Sequence, residues 1–158
     1  MKSHSEGSSN SVYGNMAHAE GHENVIGKAD KNGELYGYKS HAEGQGNTVT
    51  GNCSHAEGSN NAVIGNNAHA EGIETEATGI ASHAEGNHTK AIGNYSHAEG
   101  NQTTANGLNS HAEGQDTKAI GDFAHAEGIT TEAKIYAHAE GITTKAFGEA
   151  SHTEGNLT

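Results

Sequence analysis

A histidine, a glutamate two residues later and a glycine directly after the glutamate recur along the whole chain. The histidines of this series are His4, His18, His41, His55, His69, His83, His97, His111, His125, His138 and His152. The glutamates are Glu6, Glu20, Glu43, Glu57, Glu71, Glu85, Glu99, Glu113, Glu127, Glu140 and Glu154. Imidazole and carboxylate groups can ligate a divalent metal, act as a general acid–base pair, or form a charge-assisted hydrogen bond. The pattern therefore admits a metal site, a catalytic pair or a structural contact.

The spacing of these histidines indicates a repeat protein. Successive members are 14 residues apart at all but two places: 23 residues separate His18 from His41, and 13 separate His125 from His138. A strict short period is typical of a solenoid, in which each unit packs mainly on its neighbours. We therefore interpret residues 1–158 as one repeat domain of about eleven coils. The last unit stops halfway, which favours a fragment of a longer chain.

Two irregular units interrupt the period. The long one carries an insertion near residues 28–38, where Asn32-Gly33 predicts a turn that could seat a small hairpin or loop. We expect that removing residues 29–37, which restores the 14-residue spacing, leaves assembly intact. The 13-residue unit lacks one glycine, which predicts a tightened turn.

Each regular unit contains two short stretches that predict strands. One is the histidine–glutamate stretch, and the other is Thr-x-Ala-x-Gly, as in residues 89–93. About five residues suit a strand and are far too few for a stable helix, while glycine lets the chain turn with positive φ. The chain contains no proline, so every backbone N–H is free to join a ladder. These features predict an all-β parallel β-solenoid, with eleven coils making a rod on the order of 50 Å long.

Side-chain alternation along the strands separates an inner from an outer face. Residues two apart in a strand point the same way, so Ala84 turns inward while His83 and Glu85 turn outward. In the second strand, the small Thr and Ala positions turn inward, and Lys90 and Ile92 turn outward. The outward positions of the second strand vary from unit to unit, but histidine and glutamate do not. Their face must therefore meet something with the same period, most simply another copy of the chain.

We therefore predict a homo-oligomer that packs along the histidine–glutamate face, and we expect isolated monomers not to fold stably because so little apolar area is buried inside. The predicted interface residues are His41, Glu43, His55, Glu57, His69, Glu71, His83, Glu85, His97, Glu99, His111, Glu113, His125, Glu127, His138 and Glu140. Histidine would donate to glutamate across subunits. If the glutamate also holds the histidine charged, its pKa rises, and the assembly should be most stable from about pH 5 to 7.

The coils resemble the head repeats of YadA-type trimeric autotransporter adhesins, which are built from turns of the same length with two Ala-x-Gly half-turns. The Ser-His-Ala-Glu-Gly form, as at residues 82–86, is similar to repeats of bacterial surface proteins and of phage or prophage tail proteins. The resemblance covers the chain apart from residues about 28–38. It implies a left-handed parallel β-roll, a side-by-side homotrimer and a stiff adhesive or spacer module. Where the adhesin motif has two aliphatic residues flanking the alanine, this chain has histidine and glutamate.

Composition limits the partners and the location. The net charge is −12 with only 8 Lys and Arg, which argues against nucleic acid as a partner. No apolar stretch approaches a membrane span or the core of a signal peptide, so we expect no membrane insertion and no export signal in this segment. The resemblance implies a cell-surface or virion location and leaves a host-surface or glycan receptor as the candidate external partner.

Catalysis, metal binding and ice binding are three other functions to which the repeat could point. Catalysis needs a nucleophile or a pocket beside the acid–base pair, and a periodic rod offers neither, so we predict no enzyme and no cofactor. Metal binding by the His-x-Glu rows stays an alternative, although nothing distinguishes one of eleven equivalent units as a site. An ice-binding solenoid also stays an alternative, but such proteins expose their threonines, and here threonine turns inward.

Overall fold

Two parallel β-sheets face each other across a narrow interior in the computed structural model, which describes residues 2–28 and 36–158. The five-residue strands of the first sheet, the long-strand sheet, are β1 His4–Ser8, β3 His18–His22, β5 His41–Gln45, β7 His55–Ser59, β9 His69–Ile73, β11 His83–Asn87, β13 His97–Asn101, β15 His111–Gln115, β17 His125–Ile129, β19 His138–Ile142 and β21 His152–Asn156. The two-residue strands of the second, the short-strand sheet, are β2 Ser11–Val12, β4 Val25–Ile26, β6 Thr48–Val49, β8 Ala62–Val63, β10 Glu76–Ala77, β12 Lys90–Ala91, β14 Thr104–Ala105, β16 Lys118–Ala119, β18 Glu132–Ala133 and β20 Lys145–Ala146. In these two described ranges no helix is long and apolar enough to cross a membrane.

The strands confirm the predicted parallel β-solenoid. Each strand pairs with the equivalent strand one coil before and one coil after it, and identical residues stand on one another, as His83 on His97 and Glu85 on Glu99. The short strands hold two residues rather than the predicted five. Their ends leave the ladder because Ile92 N and Gly93 N both donate to one carbonyl, that of Ala105, at 2.8 and 3.3 Å.

The interior confirms the predicted alternation. Ala84 and Ala91 are fully buried, whereas Lys90 and Ile92 are exposed. Alanine fills most of the core, so each coil buries few apolar atoms. The larger fully buried aliphatic side chains are Ile26, Val49 and Val63.

A column of buried asparagines joins the first coils and was not predicted from the sequence. Asn47 Nδ2 donates to Glu43 O at 2.7 Å in its own coil and to Gly58 O at 3.0 Å in the next. Asn47 Oδ1 accepts from Asn61 N at 2.9 Å. One side chain thus satisfies three backbone groups in two coils. In later coils threonine takes this place, and the buried hydroxyls without a partner among the described residues are those of Thr89, Thr103, Thr117, Thr131 and Thr144.

Glycine is required at two places in the regular coils for different reasons. Gly86, at the fourth position of β11, has φ of +116°, which L side chains rarely adopt. The positive φ predicted for the histidine–glutamate stretch is therefore confirmed. Gly93 is outside this left-handed region, so the same prediction for the second stretch is wrong. Glycine is needed there because a Cβ would overlap the carbonyl oxygen of Gly107 in the next coil.

The insertion leaves the solenoid and rejoins it at adjacent points. Tyr36 N donates to Lys28 O at 3.1 Å, and Gly37 lies against Gly27. Gly37 also lies next to Gly14, in the position that the stacked glycines hold in the regular coils. The inserted residues are therefore 28–36.

The sequence also predicted two turns in the irregular units, one at Asn32-Gly33 and one in the 13-residue unit. The turn predicted at Asn32-Gly33 lies outside the described residues. In the 13-residue unit, four residues separate β18 from β19, against five between β16 and β17. His125 nevertheless pairs with His138 in register, so the predicted tightened turn is confirmed and the ladder is preserved.

Deleting the insertion is expected to leave the fold intact. The deletion that the structure supports is residues 28–36 and not residues 29–37, because Gly37 is needed for the close approach to the next coil. Joining Gly27 directly to Gly37 should restore a regular coil. We therefore expect a thermal midpoint close to that of the full chain and the same oligomeric state. Circular dichroism melting and sedimentation velocity measure the two. A non-cooperative melt, or a change of oligomeric state, would contradict this expectation.

Candidate functional site

The predicted histidines and glutamates form two straight columns on the outer face of the long-strand sheet. Histidine is the first residue and glutamate the third residue of each long strand, so both turn away from the buried alanine between them. The structure brings all sixteen predicted interface residues, from His41 to Glu140, into these columns. His4, His18 and His152 extend the histidine column at its ends.

The histidine rings are stacked along the rod. Neighbouring ring centroids are 4.6–5.0 Å apart, which follows the spacing of parallel strands. From His18 to His138 the planes of neighbouring rings differ by less than 10°. The rings are thus held in one orientation by their neighbours above and below.

Within one coil the histidine and glutamate are close without being hydrogen-bonded. Nε2 of His97 and of His111 lies 3.9 Å from the carboxylate oxygen two residues on, and the distance is 3.6 Å for His125. These exceed hydrogen-bond length. In the first coil, by contrast, His4 Nε2 and Glu6 Oε1 are 2.6 Å apart. The His4 ring is tilted by 59° from the His18 ring and makes the in-coil hydrogen bond, whereas His152 at the other end of the column is 3.7 Å from Glu154 and does not.

One nitrogen of each stacked histidine is buried without a partner. Each of these Nε2 atoms is shielded from solvent and has no hydrogen-bond partner among the described residues; they belong to His18, His41, His55, His69, His83, His97, His111, His125 and His138. A buried polar atom without a partner costs about 1–3 kcal/mol, and such atoms are rare in stable proteins. Nine such atoms lie in one row along the histidine column.

In the single chain, burial lowers the pKa of six of the stacked histidines more than the neighbouring glutamates raise it. Burial is the first cause that lowers the pKa of His97, and the neighbouring ring of His83 lowers it further. Glu99, Glu85 and Glu113 act in the opposite direction and do not compensate. Burial likewise is the largest cause of the lowered pKa at each of the following: His41, His69, His111, His125 and His138. In the single chain the pKa of these six histidines is therefore lowered, because the stacked rings are desolvated and lie beside one another, and the rise expected for a subunit interface stays a prediction.

Groups of metal-ligating atoms occur along the columns, and in the three groups that contain two stacked rings the geometry does not suit chelation by both rings. In the group of His83, Glu85 and His97, the ligand atoms lie within 4.8 Å of one another. The two rings are 4.8 Å apart and differ by 1°, so their in-plane lone pairs run parallel instead of converging. A metal binds a ring nitrogen close to the ring plane, about 2.0–2.1 Å away. One ion therefore cannot be shared by two rings that stay stacked in this way.

A scan against protein-family models gives no match for the chain. A search of curated proteins also gives no similar sequence. The assignment of a function therefore rests on the columns and on the repeat itself.

Proposed function

We propose that this chain is a non-enzymatic structural module, a segment of a rigid trimeric rod with the histidine and glutamate columns facing partner subunits. The observation that carries the proposal is the pair of unbroken columns on the outer face of the long-strand sheet, where histidine stands on histidine and glutamate on glutamate from coil to coil. A neighbouring subunit would cover the half-buried rings and give the solvent-accessible carboxylates hydrogen-bond donors.

The composition of the core supports assembly. A core made mostly of alanine buries little apolar area per residue, so a single chain gains little from the hydrophobic effect. Packing the long-strand sheets of several copies together would bury a second face. Three copies around one axis would place all their histidine and glutamate columns inside the rod and their short-strand sheets outside.

The resemblance to YadA-type adhesin heads supports a left-handed coil, a trimer and a place at a cell surface or on a virion. A rod of this kind acts as an adhesive head or as a spacer that holds other domains at a distance. The alternative in which the columns bind metal would require ligands from different subunits in one layer, because stacked rings within a chain do not converge.

Replacing His83, His97 and His111 with Gln tests the interface. The triple variant is expected to melt at a lower temperature and to need a higher protein concentration to stay assembled. The reason is that Gln lacks the ring that stacks along the column and fills the proposed subunit interface. The matched control replaces Lys90, Thr104 and Lys118 with Gln. These residues lie in the coils of the three histidines, on the outer side of the short-strand sheet. The control should assemble like the unchanged chain.

Sedimentation equilibrium and thermal melting measure both properties. A compact folded monomer of the unchanged chain at micromolar concentration would overturn the trimer. If a strong chelator instead removed the stability of the unchanged chain, and one divalent ion restored it, the columns would be metal sites.

A further inference from the structure

Two grooves lie on the wall formed by the short-strand sheet, beside the ends of the insertion. A groove of about 660 Å³ and a second of about 290 Å³ lie along this wall where the chain leaves and re-enters the coil. Lys28, Thr48 and Thr50 line both grooves. The wall is opposite the histidine and glutamate columns, so the grooves would face outward in the proposed trimer.

The larger groove combines an aromatic face with hydrogen-bonding groups. Tyr36 is 41% exposed and Ile64 is 55% exposed, which leaves apolar surface open to a ligand. Thr48 and Thr50 contribute hydroxyls and Asn66 an amide. Asn66 Oδ1 already accepts from Asn52 N at 2.9 Å, so the amide nitrogen is the group that can donate to a ligand. A volume in this range suits a small ligand rather than a folded partner.

This mixture matches the two sides of a sugar ring. A pyranose has an apolar face of C–H groups, which packs on an aromatic ring, and an edge of hydroxyls, which exchange hydrogen bonds with hydroxyl and amide side chains. Extended apolar ligands would leave the threonine and asparagine groups without partners, at a cost in affinity.

The charge of the groove selects among saccharides. Among its described lining residues Lys28 is the only charged one, although the chain as a whole has 20 Asp and Glu against 8 Lys and Arg. An ammonium at the boundary of both grooves favours a ligand that carries a carboxylate.

We propose that the groove beside the insertion binds an acidic saccharide, with a pyranose ring on Tyr36, its hydroxyls at Thr48, Thr50 and Asn66, and its carboxylate at Lys28. The site is formed by one chain. Binding at this site does not depend on the proposed function. Only the number of sites displayed together does, since a trimer would carry three copies on its outer surface and gain avidity for a surface that bears many such sugars.

Saturation-transfer NMR with the full chain tests the proposal. The probes are 3′-sialyllactose and trigalacturonic acid, with lactose as the neutral counterpart. We expect transfer to pyranose protons of at least one acidic probe and weaker transfer to lactose. Tyr36→Ala should weaken binding of the acidic probe about tenfold or more, and Lys28→Gln should bring its affinity down to that of lactose. Both changes preserve the backbone bond from Tyr36 N to Lys28 O.

Two control variants remove the same groups elsewhere: Tyr95→Ala at an exposed corner and Lys118→Gln on the same wall. They should leave binding unchanged. Absence of transfer to both acidic probes at millimolar concentration, or binding that survives Tyr36→Ala and Lys28→Gln, would overturn the proposal. Sedimentation and circular dichroism of the same samples separate this outcome from failure of the trimer: the groove is formed by one chain, so absence of binding to a chain that is folded, whatever its oligomeric state, counts against the groove alone.

Discussion

Replacing Gly93 with Ala is expected to separate the coils in the middle of the rod and to lower its thermal midpoint strongly. The added Cβ would overlap the carbonyl oxygen of Gly107, and both partners are backbone atoms that cannot rotate away. The coils must move apart, which breaks ladder hydrogen bonds on either side. We expect a loss of about 3–5 kcal/mol in the free energy of unfolding, measured by thermal and denaturant melting.

The same substitution at Gly148 is the matched control. Gly148 holds the equivalent position in the last coil, where a Cβ would meet only Ser151, at 3.4 Å or more, which is an ordinary contact. We expect an effect below about 1 kcal/mol. Equal destabilisation by the two substitutions would show that the close approach between coils is not what requires glycine.

Acid is expected to destabilise the rod, and the histidine column is expected to give no loss of stability as pH rises above neutrality. The pKa of six stacked histidines is lowered in the folded chain, first by burial and then by neighbouring histidines. Free histidine titrates near pH 6.5, so below that value the unfolded chain binds protons that the folded column resists. Stability is therefore complete above about pH 6.5 and falls as the pH decreases below it.

Thermal midpoints measured between about pH 8 and pH 5 test this direction. His97→Gln, His111→Gln and His125→Gln together remove three of the six groups and should flatten the acid limb. A midpoint that rose between about pH 7 and pH 6 would show that the glutamates hold the histidines charged in the assembled rod, in contrast to the single chain.

The repeat and its two faces could be predicted because they depend on local periodicity. A strand alternates its side chains, and a parallel register copies that alternation from coil to coil, so Ala84 inward and His83 outward follow from spacing alone. The turns could not be predicted in this way. His88 and Tyr95 adopt positive φ values of 56° and 59°, although neither is glycine. Their conformations are fixed by hydrogen bonds to the preceding coil, as Tyr95 N donates to Ile80 O at 2.8 Å.

The two columns of histidine and glutamate were also predictable from the sequence, but their electrostatics were not. The sequence places a glutamate two residues from every histidine, which favours pairing within a coil. The structure brings each ring within 4.6–5.0 Å of the ring in the next coil, and the carboxylates remain beyond hydrogen-bond length at His97, His111 and His125. Desolvation and ring-to-ring repulsion depend on these distances across coils. These two effects can be evaluated only once the distances between the coils of the folded chain are known.

Identical residues standing on one another create an ambiguity of alignment between chains. Within one chain the connection between coils is too short to skip a coil, so a shifted pairing is prevented. Two copies side by side have no such connection, and a copy displaced by one whole coil would still match histidine to histidine and glutamate to glutamate. The nine-residue insertion and the 13-residue unit break this symmetry. In the proposed trimer they would act as alignment marks, since a displaced copy would bring an irregular coil against a regular one.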